Sequence, residues 1–339
     1  MKLRRPDLGS YQEIKAIVRA YYQELETASA ETVGGVIKKY TSNNYQWFGM
    51  HPFNELKGSE EVTDIFWKPF YQAWSPIQRR QDIFMAGTSE IDGDDWVISM
   101  GNIIGLLDGK WLGFPASRKM TFLRYAEFNC VKDGKICKTG LFFDILGVLN
   151  QVGINPLPLQ TGAQIIVPGP RTHDGLLFEA QEAQETAKTL DLVNSMKDDL
   201  QGYDDFFCPP NILANTWQDG MIWYGPTGIG STYTIDRYCE QHEGPFAHGL
   251  KDLTVVGHKS RFAEGKYAGW FGWPNLTMKP AGDFMGLPSS DTAAGMRVVD
   301  IYRREGNKLA ENWVFIDIPY WLFQQDLDIL ERTRKIVSH

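Results

Sequence analysis

Residues 11 to 28, YQEIKAIVRAYYQELETA, set Ile14, Ile17, Val18, Tyr21 and Leu25 at helical spacing, which predicts an amphipathic helix. Residues 179 to 200 repeat the pattern more weakly behind a polar start. Elsewhere the period shortens to two. VKDGKI (131 to 136) and REGNKL (304 to 309) place tight-turn residues between apolar runs and predict hairpins. EIDGDDWVI (90 to 98) and FAEGKYAGW (262 to 270) form a second such pair. Each half of the chain therefore reads as helices followed by a meander of long antiparallel strands. A strongly curved sheet packed on helices closes that arrangement, giving an α+β fold. The stretch from 154 to 175 is rich in Pro and Gly and has no period. The pattern thus predicts a first domain over 1–153, a connection over 154–178 and a second domain over 179–339.

The halves are related in sequence. Residues 109 to 151 align with 282 to 324 without a gap, and eleven of the 43 positions are identical. Among them are Arg124/Arg297, Phe142/Phe315, Asp144/Asp317 and Gln151/Gln324. Upstream, Trp47 to Gly49 (WFG) matches Trp223 to Gly225 (WYG). The chain reads as two tandem copies of one domain.

Two of the shared positions are chemically conspicuous. Asp144 in KTGLFFDILGVLN and Asp317 in ENWVFIDIPYWLF each interrupt an apolar run. With Gly306-Asn307 as a two-residue turn, strand alternation sets Asp317 opposite Met296. Its face then carries Trp313 and Phe315, with Val298 and Asp300 on the partner strand. With Asp133-Gly134 as the turn, Asp144 falls opposite Leu123 and shares its face with Phe142 and Tyr125. Arg124 and Arg297 fall on the other face, as candidates for salt bridges between the copies. A carboxyl desolvated in this way has a raised pKa and can take and return a proton. The other reading is structural: an acid that caps a helix or pairs with an Arg.

Composition narrows the function. The chain has 339 residues, 43% of them hydrophobic, enough for two packed domains. Its formal net charge of −8 argues against binding along a nucleic-acid backbone. No apolar run reaches the roughly 20 residues that span a bilayer, and the N-terminal stretch has no secretory pattern, so the chain reads as cytoplasmic with no membrane partner. Cys130, Cys137, Cys208 and Cys239 have neither zinc-site nor disulfide-framework spacing and read as reduced, small core residues. No metal, dinucleotide, phosphate-loop or nucleophile-elbow motif occurs, so neither metal nor cofactor is expected.

WYGPTGIG (223 to 230), GDFMGLP (282 to 288), MRVVDIYRREGNKLAENWVFID (296 to 317) and LFQQ (322 to 325) resemble the SnoaL-like polyketide cyclases, or ester cyclases, of the NTF2-like superfamily. WLGFP (111 to 115), LRYAEFNCVKDGKI (123 to 136) and FFDILGVLNQVG (142 to 153) carry the same likeness in the first copy. The resemblance implies two cone-shaped α+β barrels, each with a pocket between helices and curved sheet. It implies an Asp general acid/base at Asp317 and Asp144, serving an aldol-type ring closure without metal or cofactor. It also implies pairing through sheets, either as a homodimer or as an internal pseudo-dimer of the copies.

The expected ligand is a small apolar or aromatic molecule. His258 and Arg261, in VVGHKSRF, are candidates for a second proton-handling group and a ligand contact, with turn arithmetic pairing His258 with Phe271. His242 and His248 bracket a loop or helix end and are weaker candidates. Trp47, Trp223, Trp270, Trp273, Trp313 and Trp321 either pack the core or line a cavity that suits a flat ligand, and Tyr224, beside Trp223, is a further ligand-contact candidate. The second copy, with His258, Arg261, Asp300 and Asp317, offers more chemistry than the first, with His51, Tyr125, Glu127 and Asp144. Three functions stay open: a proton-transfer enzyme using Asp317, a binding module without chemistry, and a hydrolase of the epoxide-hydrolase type.

Overall fold

The computed structural model describes residues 10–202 and 207–337. The chain divides into two compact units, Met1–Phe143 with Pro168–Gln181, and Asp144–Val167 with Glu182–His339. The Pro/Gly-rich stretch is thus shared between the units, and the segment after Phe143 groups with the second.

The first unit opens with helices α1 (Ser10–Glu26) and α2 (Val33–Tyr40), then strands β1 (Thr41–Gly49) and β2 (Asn54–Lys57). Short helices α3 (Gly58–Val62) and α4 (Lys68–Ala73) flank a π-helical turn, Thr63–Trp67. Four long strands follow: β3 (Trp74–Thr88), β4 (Asp95–Leu107), β5 (Met120–Lys132) and β6 (Lys135–Phe143). They form one six-stranded sheet of order β2-β1-β6-β5-β4-β3, in which β1 and β6 run parallel and the other neighbours antiparallel. Helix α1 buries Ile14, Val18, Tyr21 and Leu25, the stripe its spacing predicts, while Ile17 sits at the edge of that stripe.

The second unit contains α5 (Ile145–Gln151), α6 (Ala183–Gln201) and α7 (Pro210–Thr216), then β7 (Trp217–Tyr224) and β8 (Thr232–Tyr233). Helices α8 (Ile235–Tyr238) and α9 (Gly244–Gly249) flank a π-helical turn, Cys239–Glu243. Strands β9 (Leu250–Val255), β12 (Leu276–Pro280) and β13 (Ala294–Met296) make a small sheet. Strands β10 (Ser260–Glu264), β11 (Tyr267–Phe271), β14 (Val298–Glu305) and β15 (Lys308–Ile316) join β7 and β8 in a second six-stranded sheet, order β10-β11-β14-β15-β7-β8. Helices α10 (Ile318–Phe323) and α11 (Ile329–Val337) close the unit. Read from β8, this order matches that of the first sheet, including the parallel neighbour pair, here β7 and β15.

Both hairpins carry their turn where the sequence sets it, pairing Lys132 with Lys135 and Glu305 with Lys308. Both then slip by one residue. In β14–β15, Arg304 faces Leu309 but Arg303 faces Glu311, so Ala310 is an extra, bulged residue. In β5–β6, Val131 faces Ile136 but Cys130 faces Lys138, and Cys137 is the extra residue. A slip of one residue exchanges the two faces of a strand relative to its partner. Counting from the turn alone therefore put Asp300 and Val298 on the face of Asp317, whereas they share a face with Asn312, Val314 and Ile316. Asp317 instead lies beside Arg297, whose carbonyl accepts its N–H at 2.9 Å. In the first unit the same slip separates Tyr125, which faces Phe143, from Phe142, which faces Ala126.

The β10–β11 turn also differs from expectation. Glu264 faces Tyr267, so Gly265-Lys266 forms the turn, and Phe271 pairs with Ser260. His258 lies before the strand, outside the ladder.

Candidate functional site

The second unit holds a cavity of about 180 Å³. Its floor is the face of β14 and β15 that carries Val298, Asp300, Tyr302, Asn312, Val314 and Ile316. Met196 and Leu200 of α6, Trp217 and Trp223 of β7, and Tyr238, His242, Glu243 and Phe246 of the α8–α9 segment close over it. His258, Trp270 and Met296 complete the wall. The lining is mostly apolar, with a few polar groups directed inward, as in small-molecule sites.

Asp300 is the acid at this floor. Its Oδ2 accepts the Trp270 indole N–H at 2.9 Å, and the Asn312 amide lies 3.4 Å from Oδ1. Among the described residues no cation pairs with it. Burial pushes its carboxyl up to about 6, against the pull of hydrogen bonds from Trp270, Asn312 and Tyr302. It is enclosed by protein, yet the surface it keeps is presented to the cavity.

Burial also shifts Glu243, His242 and His258 of the lining. Burial raises the Glu243 carboxyl to about 8, although Cys239, the Cys208 backbone and Tyr238 donate to it. Burial lowers His242 to about 3, and its ring stacks on Trp223 with centroids 3.9 Å apart. The Nδ1 of His242 meets no hydrogen-bonding group of the protein. His258 falls to about 4 through burial, then the charges of Arg261 and Lys197, and its ring leans on Trp270 at 4.8 Å. At neutral pH the cavity therefore holds an ionised Asp300, a mostly protonated Glu243 and two neutral imidazoles. The two carboxyls thus sit in environments that set different proton affinities.

A second cavity of the same unit, about 300 Å³, is lined by Gln160, Thr161, Gly228, Asp283 and Met285 among others. His242 and Phe246 belong to the walls of both.

Of the residues expected at a site, Trp223, His258, Met296, Val298 and Asp300 do line the first cavity. Asp317, Tyr224, Trp313, Phe315 and Arg261 do not. Asp317 is the N-cap of α10, accepting the Tyr320 N–H at 3.2 Å, and forms an ion pair with Arg297 at 3.2 Å. The Arg297 guanidinium lies between the rings of Trp273 and Tyr320. So Arg297 partners the acid it was expected to face away from. Tyr224 stacks on Trp313 within the core, and Phe315 is buried there. Arg261 pairs across the ladder with Trp270. Asp144 is likewise a cap: its carboxylate accepts from the Gly147 N–H at 2.8 Å, and from the Thr227 N–H and hydroxyl at 3.1 and 2.8 Å. The paired acids are helix starts, the structural reading of the two.

In the first unit the position matching Asp300 at the same sequence offset is Glu127. It is buried, and its Oε2 lies 2.9 Å from Arg79 Nη1. The Arg79 guanidinium is layered on Tyr22 and Tyr125, at 4.0 and 4.5 Å from their centroids. The Tyr125 hydroxyl bonds Ser99 at 2.8 Å. Trp47 packs among Phe53 and Phe66, and Phe142 is fully buried. The matching acid is thus already held by a cation.

Glu243, Asn312, Tyr238 and Tyr302 were not read as site residues. Asn312 in ENWVFID left a trace, an amide inside a buried strand. Glu243 left none, because its burial depends on the π-helical turn. No group of three His, Cys, Asp or Glu placed to hold a metal occurs among the described residues. Nor is any described helix long and apolar enough to cross a membrane.

No family model matches this sequence, and no curated protein matches it. Solved structures do. A protein of Jannaschia sp. CCS1 described as a SnoaL-like polyketide cyclase is 16% identical, covers 44% of this chain and 97% of its own, and superposes with a TM-score of 0.34. An NTF2-like protein of Burkholderia xenovorans LB400 is 11% identical, with 41% and 96% covered and a TM-score of 0.33. IdmH of Streptomyces antibioticus, described as a polyketide cyclase, is 13% identical, with 40% and 99% covered and a TM-score of 0.33.

Proposed function

We propose that the second unit is an acid–base enzyme acting on a small, flat, apolar carbonyl compound, with Asp300 as the base. The observation that carries this reading is the setting of Asp300: a half-buried carboxyl facing an apolar cavity, held by neutral donors and tuned to about 6. A base is most effective when its proton affinity lies near the working pH. The ionised Asp300 takes a proton from the carbon beside the carbonyl. Protonated Glu243 is the acid available to the developing oxyanion. The carbanion is then reprotonated elsewhere, giving isomerisation, or attacks a second carbonyl, giving ring closure. The reading uses this chain's own side chains and no cofactor. The first unit is then a second copy, in which Glu127, the acid at the matching position, is paired with Arg79.

The volume bounds the ligand. A cavity of about 150 Å³ accommodates benzene, so 180 Å³ suits one ring or two fused rings. Larger substrates need the second cavity, through His242 and Phe246.

The probe of choice is 5-nitrobenzisoxazole, a two-ring compound whose opening requires loss of one carbon-bound proton and is followed by absorbance. The wild type should open it, with a rate rising through a pH near 6. Asp300→Asn should lose about 100-fold or more. Equal rates in the two proteins overturn the assignment. Saturable binding without proton removal, from this probe or from 2-tetralone in D2O, would instead identify a binding module.

A further inference from the structure

We propose that Cys130 and Cys137 of the first unit form a redox-active dithiol, a modification site that a hydroperoxide converts to a cross-strand disulfide. Their sulfur atoms lie 3.4 Å apart. Spacing alone made them two reduced core residues. The β-bulge brings them together, because Cys137 is the extra residue of β6 and lies with Lys138 opposite Cys130.

The bulge does not itself require sulfur. In the second unit the same bulge, at the same sequence offset, is built with Arg303 and Ala310. Nor is the pair sealed in the core. Cys130 is buried, whereas Cys137 keeps accessible surface. That difference assigns the roles: Cys137 meets the oxidant and Cys130 resolves it.

The surroundings favour a thiolate at Cys137. Lys132 lies 2.6 Å from Asp94, and Lys138 bridges Asp94 at 3.0 Å and Asp92 at 3.3 Å. Asp94 also lies 3.7 Å from the Cys130 sulfur. The hydrogen bond with Cys130, then the charges of Lys132 and Lys138, bring the Cys137 thiol down to about 7, against burial and Asp94. Cys130 moves the opposite way, held protonated by that bond and by burial. Thiolates, not thiols, are the nucleophiles.

The chemistry closes in two steps. The Cys137 thiolate attacks a peroxide oxygen; an S–O bond forms, the O–O bond breaks, and the departing alkoxide or hydroxide takes a proton. The Cys130 sulfur then attacks the Cys137 sulfenic acid; the S–S bond forms, the S–O bond breaks, and water leaves. Two thiols are oxidised, and one hydroperoxide is reduced to an alcohol, or to water where the oxidant is hydrogen peroxide.

The test is exposure of the full-length protein to hydrogen peroxide at pH 7, followed by intact mass and peptide mapping. The wild type should lose two hydrogens, yield a linked peptide joining Cys130 to Cys137, and recover both thiols in dithiothreitol. Cys130→Ser should stop at a sulfenic acid on Cys137 that dimedone traps. Cys137→Ser should give no link. If the wild type yields no linked peptide while Cys137 persists as a free thiol, the proposal falls. That mapping decides the matter even where a variant fails to fold.

Discussion

Arg297 Nη1 lies 3.2 Å from Asp317 Oδ2, with Asp317 fully buried and Arg297 nearly so. Asp317 also caps α10. An acid with these partners stabilises a helix start and a buried guanidinium, and it does not face the cavity.

Replacing Asp317 by Asn should therefore damage the fold more than the chemistry. Removing one partner of a buried ion pair costs about 3–5 kcal/mol, while the Asn amide oxygen can still accept the Tyr320 N–H and keep the cap. Urea denaturation of Asp317→Asn should show a loss of this size. Its residual folded fraction should still open 5-nitrobenzisoxazole. A variant of wild-type stability and no activity would return Asp317 to the catalytic role.

The cavity acids set an opposite trend with pH. Folding makes the Asp300 and Glu243 carboxyls harder to ionise, to about 6 and about 8. The native state then binds their protons more tightly than the unfolded chain. Stability falls as pH rises from the ordinary carboxylate range through those values. His258 and His242, lowered to about 4 and about 3, act the other way: folding resists their protonation, so stability is lost as pH falls below the ordinary histidine value. Glu243→Gln should be more stable than wild type at pH 9, on the order of 5 kcal/mol, and no more stable at pH 4. Melting curves at the two pH values check this, and an equal shift at both would show that the Glu243 charge is not the cause.

Much of this architecture was readable from the chain. The stripe of Ile14, Val18, Tyr21 and Leu25, the Asp133-Gly134 and Gly306-Asn307 turns, and the shared sequence offset all rest on local patterns. The site was only partly readable: Trp223, His258, Met296, Val298 and Asp300 were in view, but which strand faces meet depends on one extra residue in each hairpin. Ala310 and Cys137 carry no mark of a bulge, yet each reverses which strand residues meet. Asp300 was therefore placed beside Asp317, and Arg297 away from it. Caps were equally open to misreading: Asp317 sits at the strand's end, where an acid before Ile-Pro can start a helix as readily as it can serve a pocket.

Trp270 donates to Asp300 at 2.9 Å, and that bond favours the ionised carboxylate. Trp270→Phe keeps a ring against His258 and removes the donor. The Asp300 carboxyl should then titrate higher, moving the midpoint of the pH–rate profile for proton removal upward. The plateau rate above the midpoint should survive, because the base itself remains. An unmoved midpoint would show that the indole N–H does not tune the acid.

Arg79 and Glu127 offer the complementary test, in a unit where the acid is paired. Arg79→Leu leaves the buried Glu127 without its cation, while Glu127→Gln leaves Arg79 over Tyr22 and Tyr125 without its anion. Each single change should cost about 3–5 kcal/mol. The double variant should cost much less than the sum, because neither buried charge is then left alone. Denaturation of the four proteins gives the coupling directly. Strict additivity would mean that the pair contributes nothing as a pair. The burial of Glu127 and Arg79 would then have to be attributed to the aromatic packing around them rather than to charge neutralisation.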